Sequence, residues 1–96
     1  MDKAIRVVIL GREYPLRVQE DTEESTRAAA AIVDARMQAF RQGHPAQSDV
    51  VTAVVAALSL ADDLQTARRR QHEMASKVDL ELQRLDRELE MALAAR

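Results

Sequence analysis

The N-terminal segment carries the pattern of a two-stranded hairpin. Residues 5–10 (IRVVIL) form a β-branched, apolar run, and in residues 14–18 (YPLRV) every second residue is apolar. Between these runs, Gly11 can adopt the positive φ that a tight turn requires. The pattern predicts a hairpin over residues 4–19 with its turn at GRE. Pro15 has no N–H to donate, so the second strand is expected to be an edge strand or an irregular one.

A second pattern, with a period of 3.6 residues, follows QEDT and predicts a helix over residues 22–42. Asp21 or Thr22 is the expected N-cap, and the acidic Glu23 and Glu24 suit the positive end of the helix dipole. The predicted apolar face consists of Ala29, Val33, Met37 and Phe40, widened by Ile32. The side predicted to face away consists of Arg27, Asp34, Gln38 and Arg41. Because an isolated hairpin is marginal in water, the hairpin should lean on such a helix or pair with another copy.

One long helix is predicted to follow a loop over residues 43–48. Gly43 and Pro45 interrupt the first helix, and Ser48 with Asp49 supplies a new start. No Gly or Pro occurs after this point, so the helix should run over residues 49–96, roughly 70 Å at 1.5 Å per residue. Its apolar positions step alternately by three and four residues, which is the pattern of a coiled coil.

The first turns of this long helix differ from the rest, because residues 54–64 (VVAALSLADDL) are apolar on almost every side. We expect residues 49–66 to serve both as core for the head, residues 1–48, and as a dimer interface. The remainder, up to residue 96, is expected to be a coiled-coil stalk. The predicted oligomer interface consists of Val54, Ala57, Leu58, Ala61, Leu64, Val78, Leu82, Leu85 and Leu89. The fold class is therefore α+β, a small β-hairpin and helix head followed by a long coiled-coil helix.

Composition favours self-association in a soluble protein. A chain of 96 residues with one Phe, one Tyr and no Trp has few large side chains with which to build a core alone. It has no Cys, and its N-terminal apolar run is too short for a signal peptide or a membrane span. We therefore expect a cytoplasmic homo-oligomer without a membrane partner.

Catalysis and nucleic-acid binding are both disfavoured. No Ser-His-acid arrangement, Cys nucleophile or Gly-rich phosphate loop is present, so we expect no enzyme, no cofactor and no metal. The net charge of -2 is not that of a typical nucleic-acid binder. The basic run of residues 68–70 has no interleaved aromatic residue, so we interpret this run as a solvated helix face. Arg68 and Gln71 interrupt the coiled-coil seam, and the sequence leaves open whether they fix its register or are merely tolerated.

The charges that flank the seam favour more than two helices. With Leu82 at an a position, residues 81 and 88 (Glu) lie at g and residues 79 and 86 (Asp) at e, so a parallel dimer would oppose acid to acid. The basic Lys77 and Arg84 lie at c positions, where an antiparallel four-helix stalk could bring them beside acidic residues of another chain. This pattern predicts a homotetramer.

The chain also resembles the bacterial ZapA family of cell-division proteins. The resemblance rests on a strand ending in ILGREY, a short strand LRV, an acidic N-cap, an Ala-rich helix, and the run AALSLADDL that opens a long helix. Pro15 and the loop QGHPAQ depart from the family pattern.

The resemblance implies a head that dimerises, a stalk that joins two dimers, and binding of FtsZ filaments, so that the protein crosslinks and bundles them at the division site. Arg12 is the first candidate for the partner contact, because it follows the turn glycine where the family has a basic residue and loop tips on rigid scaffolds often bind partners. Arg17, Arg41 and His44 are weaker candidates in the same head.

A generic coiled-coil or chaperone-like module with a different partner is the alternative. In a prefoldin-like subunit the hairpin lies between two long helices, whereas here it precedes both helices, which counts against that version. DNA binding is a third possibility.

Overall fold

A computed structural model describes residues 1–95, so Arg96, the last residue of the predicted stalk, lies outside the described residues. The order of elements is a two-stranded antiparallel hairpin, a short 3₁₀ turn and two α-helices. The predicted fold class, α+β with an N-terminal hairpin and a long C-terminal helix, is confirmed.

The hairpin consists of β1 (Asp2–Ile9) and β2 (Arg12–Gln19). Its turn contains only Leu10 and Gly11, with φ of 54° and 80°. The predicted position of the turn, at GRE, was therefore wrong. Arg12 is the first residue of β2 and not a turn residue. The physical reason is that a two-residue turn with two positive φ angles matches the twist of the flanking strands.

One face of the hairpin contributes to the core. Ile5 and Val7 are 4% and 6% exposed, and the register places them opposite Leu16 and Tyr14. Because side chains alternate along a strand, these four lie on one face of the sheet. Leu16 and Tyr14 nevertheless stay exposed, so the β2 half of this face is only partly covered within one chain.

The first helix, α1 (Glu23–Gly43), follows a 3₁₀ turn at Glu20–Thr22. Thr22 occupies the N-cap position, but its hydroxyl donates to the Gln19 carbonyl at 3.0 Å and makes no capping hydrogen bond. At the other end Gly43 is still helical and His44 is the C-cap, one residue later than predicted.

The apolar face of α1 is narrower than the sequence pattern suggested. Met37 is 6% exposed, whereas Ile32 is 54% exposed and Ala29 is also exposed. The prediction that Asp34 and Arg41 face away was wrong as well, because both are half-buried and bind groups on other elements. The side of α1 that contains Met37 packs against the rest of the head. The helix is oriented about its axis so that Ile32 lies outside this contact.

The second helix, α2 (Asp49–Ala94), begins at the predicted residue. The Ser48 hydroxyl accepts the Val51 N–H at 3.1 Å, which caps the helix. Thr52 and Ala56 are 0% and 1% exposed, and Ser59, further along the helix, accepts a 2.7 Å hydrogen bond from Arg36 of α1. The first turns of α2 therefore pack into the head.

The chain divides into two compact units, Met1–Ala61 and a second that begins at Asp62. Within residues 62–95 of the second unit, all except Thr66 are exposed. Arg84 forms ion pairs with Glu81 and with Glu88 of its own helix. In a single chain, the acidic g positions are thus already partly neutralised by the basic c position between them.

Helix α2 is also long and apolar enough to cross a membrane, judged by length and composition only. Only 11% of the qualifying 18-residue window is buried. Core helices of soluble proteins that pass the same test are mostly buried, which this window is not in the single chain, but the hydrogen bond from Arg36 to Ser59 places a charged side chain against the first turns of α2.

Candidate functional site

Three elements of the head meet at the carboxylate of Asp49. Arg12 opens β2, Arg41 lies in the last turn of α1, and Asp49 opens α2. The Arg12 guanidinium lies 3.1 Å from one carboxylate oxygen of Asp49, and the Arg41 guanidinium donates to the other. We name these three residues the Asp49 cluster. Two of the four predicted partner-binding residues, Arg12 and Arg41, therefore come together.

The Asp49 cluster carries one more positive charge than negative charge, because two guanidinium groups share one carboxylate. The side chain of Arg12 is 70% exposed, whereas those of Arg41 and Asp49 are 39% and 40% exposed. Within the described residues, the buried Nε of Arg41 has no hydrogen-bond partner. The positive charge available to another molecule is therefore that of Arg12.

An apolar cleft of about 240 Å³ adjoins the cluster. It is lined by Arg12 and Asp49 together with Leu10, Tyr14, Met37, Val50 and Ala53. A second groove, of about 360 Å³, shares Tyr14, Met37 and Ala53 with it and is otherwise apolar. A guanidinium beside an open apolar surface suits a ligand that is itself part charged and part apolar.

The other two predicted residues lie outside the cluster. The ring of His44 stacks on Phe40 with 4.4 Å between centroids, and its Nδ1 lies 3.3 Å from the Phe40 carbonyl oxygen. These contacts hold the His44 ring against the last turn of α1. Arg17 pairs in register with Ala4, near the open end of the hairpin, and lies on the sheet face opposite to that of Arg12.

Sequence reasoning recognised Asp49 as a helix start but missed its role in the cluster. A signal was available, because Asp49 is the only acidic residue between Asp34 and Asp62, while Arg36 and Arg41 precede it. A lone carboxylate in such a stretch is a natural partner for a nearby guanidinium.

Two carboxylates that join the elements of the head have lowered pKa values. The Leu10 N–H donates to Oδ1 of Asp34 at 2.7 Å, and this bond, with a second from Gln38, lowers the pKa of Asp34. Glu23 lies 2.6 Å from the Lys3 ammonium and also binds Arg27, and these partners, Lys3 first, lower the pKa of Glu23. Both contacts tie α1 to the hairpin.

The nine residues predicted for the oligomer interface are all exposed in the single chain. On the first turns of α2, Val54 and Leu58 are 53% and 66% exposed, while Thr52 and Ala56 on the other side are buried. The exposed side forms an apolar stripe that the head itself does not cover. Among residues 1–95, no group of three or more His, Cys, Asp or Glu side chains could hold a metal ion.

Comparison with known proteins identifies a matching family and a similar solved structure. Residues 5–89 match the model of the family described as cell division protein ZapA. Among solved structures, the chain is similar to an "unknown conserved bacterial protein from Pseudomonas aeruginosa PAO1", with a TM-score of 0.71 and 28% sequence identity. The similarity covers 88% of this chain and 97% of that chain. The comparison with curated proteins finds no match.

Proposed function

Because the chain belongs to the ZapA family of cell division proteins, we propose that it is a non-enzymatic accessory protein that binds filaments of FtsZ, the tubulin-like division GTPase. It acts in the cytoplasm at the division site, where it crosslinks and bundles the filaments and so stabilises the division ring. The family match over residues 5–89, which spans most of the hairpin, all of α1 and most of α2, is the observation that carries this proposal.

Crosslinking requires at least two filament-binding heads in one particle. Exposed apolar residues along the whole length of α2 support such an assembly. Leu58, Leu64, Val78, Leu82 and Leu89 are each more than half exposed in the single chain. Exposed apolar residues at a three-and-four spacing are the pattern that coiled coils bury between helices. The first turns of α2 form the dimer interface, and the rest of the helix joins two dimers into a tetramer.

The Asp49 cluster is the filament-binding site of each head. Arg12 is well exposed, shares its carboxylate partner with Arg41, and stands on a hairpin that the hydrogen bond from Leu10 to Asp34 fixes to α1. A side chain held on a rigid scaffold loses little freedom when it binds a partner. Arg17, on the opposite sheet face, is a second and separate candidate contact.

Cosedimentation with FtsZ filaments tests this proposal. The wild-type protein should pellet with filaments, and Arg12→Glu should weaken the binding without changing the oligomer mass, because an exposed charge contributes little to the core. Arg87→Glu is the matched control, since Arg87 is exposed on α2 and lies outside the Asp49 cluster and both candidate contacts on the hairpin. Retention on DNA at moderate salt without cosedimentation would replace the proposal with nucleic-acid binding.

A further inference from the structure

Asp49 holds two guanidinium groups, but a partner can reach only one of them well. Arg12 is 70% exposed, whereas Arg41 is 39% exposed and lies against α2 through Asp49. On the basis of the proposed function, we propose that Asp49 is an internal competitor for the filament. In the free protein its carboxylate occupies Arg12, and in the complex an acidic side chain of the filament takes its place there.

The exchange is feasible because Asp49 keeps a partner when Arg12 leaves. Arg41 binds the other carboxylate oxygen, so Asp49 remains neutralised and is not left as an unpaired charge. The ion pair that is lost, between Arg12 and Asp49, is exposed to water on the Arg12 side and therefore weak. Once an incoming carboxylate binds Arg12, two positive and two negative charges are paired.

The cleft beside Arg12 defines the remaining chemistry of the ligand. Tyr14, Val50 and Ala53 line it, and each is exposed. A filament segment in which an acidic side chain stands next to an apolar one can place its carboxylate on Arg12 and its apolar group in the cleft. Charge complementarity with the cluster, together with this apolar wall, selects such a segment over a purely acidic one.

Competition by Asp49 and a structural role for Asp49 predict opposite effects of the same substitution on filament affinity. Asp49→Asn keeps the size of the side chain and an oxygen that can accept from Arg41, but it removes the competing charge. Filament affinity should therefore rise, about two- to fivefold, as expected for one exposed charge pair. If Asp49 instead served to hold Arg12 in a binding conformation, the same substitution would lower the affinity.

The test is a set of cosedimentation titrations with FtsZ filaments at fixed salt. It compares the wild type with Asp49→Asn, Arg12→Gln and the double variant, and Asp62→Asn serves as the control for the same change in net charge on α2. The proposal expects a gain for Asp49→Asn that disappears when Arg12 is also replaced. An unchanged or lower affinity, a gain that persists without Arg12, or an equal gain in Asp62→Asn would overturn it.

The same titrations separate this inference from the proposed function. If Arg12→Gln abolishes binding while Asp49→Asn leaves it unchanged, Arg12 is the filament contact but Asp49 does not compete for it. If wild-type protein does not pellet with filaments, the proposed function itself fails. Sedimentation velocity on each variant adds a further condition, because a loss of oligomer mass in Asp49→Asn would assign the cluster to self-association and overturn the inference.

The apolar half of the ligand has its own test. Ala53→Leu fills the cleft without changing a charge, and both residues favour helix. Filament affinity should fall while oligomer mass stays constant. Unchanged affinity would show that no filament side chain enters the cleft, and a drop in mass would show that a second copy of this chain occupies it.

Discussion

The backbone N–H of Leu10 donates a 2.7 Å hydrogen bond to the carboxylate of Asp34, a residue 24 positions further along the chain. Leu10 has a φ of 54°, an unfavourable conformation for a bulky side chain, in the turn that precedes Arg12. The bond joins this turn to the middle of α1. The position of Arg12, and with it the candidate filament contact, therefore depends on a contact between the turn and the helix.

The two glycines should respond in opposite directions to the same substitution. Gly11→Ala should lower the free energy of unfolding by about 1–2 kcal/mol, because Gly11 has a φ of 80° that an L-residue adopts only with strain. Gly43→Ala should raise it by about 0.4–1 kcal/mol, since Gly43 is helical and a methyl group there would meet no atom within 4 Å. Urea denaturation at one fixed protein concentration measures both, and equal effects would contradict the assigned turn.

Two methionines offer a matched test of the core. Met37→Ala should destabilise the protein by about 2–5 kcal/mol, because Met37 is 6% exposed and truncation leaves a cavity. Met91→Ala makes the same chemical change at a residue that is 72% exposed, and its effect should stay within about 0.5 kcal/mol. Met91 occupies the same heptad position as Lys77 and Arg84, so a large loss there would mean that this side of α2 is buried against another chain, as in the proposed antiparallel stalk.

Stability should decrease in acid through Asp34 and Glu23. Partners lower the pKa of both groups in the folded protein, so the folded state binds protons less readily than the unfolded state. Their contribution is complete above the unfolded pKa values, about 4, and is lost as the pH falls through the lower folded values. Urea midpoints measured from pH 6 to pH 3 should fall less steeply for Asp34→Asn than for wild type. A slope for Asp34→Asn equal to that of wild type would contradict the stabilising role of the hydrogen bond from Leu10.

The two proposed interfaces can be separated by truncation. A chain that ends at Ala67 retains the whole first unit, Met1–Ala61, and removes most of the second unit. Sedimentation equilibrium should find dimers in place of tetramers. If the shortened chain still forms tetramers, the second interface lies in the head, and a folded monomer at micromolar concentration would contradict the dimer interface at residues 54–64.

Lys77 and Arg84 differ in how cleanly they test the predicted tetramer. Arg84 already binds Glu81 and Glu88 within its own helix, so replacing it with Glu removes helix-stabilising pairs as well as any contact between chains. Lys77→Glu is therefore the cleaner variant. It should shift tetramers toward dimers at low salt, and added salt should partly reverse the shift, because each exposed pair contributes only about 0.2–1 kcal/mol.

Local patterns in the sequence were sufficient to predict the elements. Alternation over β1 and β2, the 3.6-residue period of α1, and the start at Ser48 and Asp49 all depend on residues within about four positions of one another. Such neighbours fix backbone conformation without reference to the rest of the fold, and the predicted helix bounds were accordingly within one residue at both ends of α1 and at the start of α2. The oligomer interface, the division into head and stalk, and the partner contacts remain predictions.

The sequence by itself thus determined the hairpin, the two helices and the family, whereas the tertiary structure decided which charged residues meet. Asp34 and Arg41 lie on the polar side of the α1 pattern, and only the rotation of α1 against the hairpin and α2 brings them to Leu10 and Asp49. A helical period states which residues share a face, but it does not state which element covers that face. The Asp49 cluster joins three elements far apart in the chain, so its existence depends on their packing and not on the spacing of residues within any one of them.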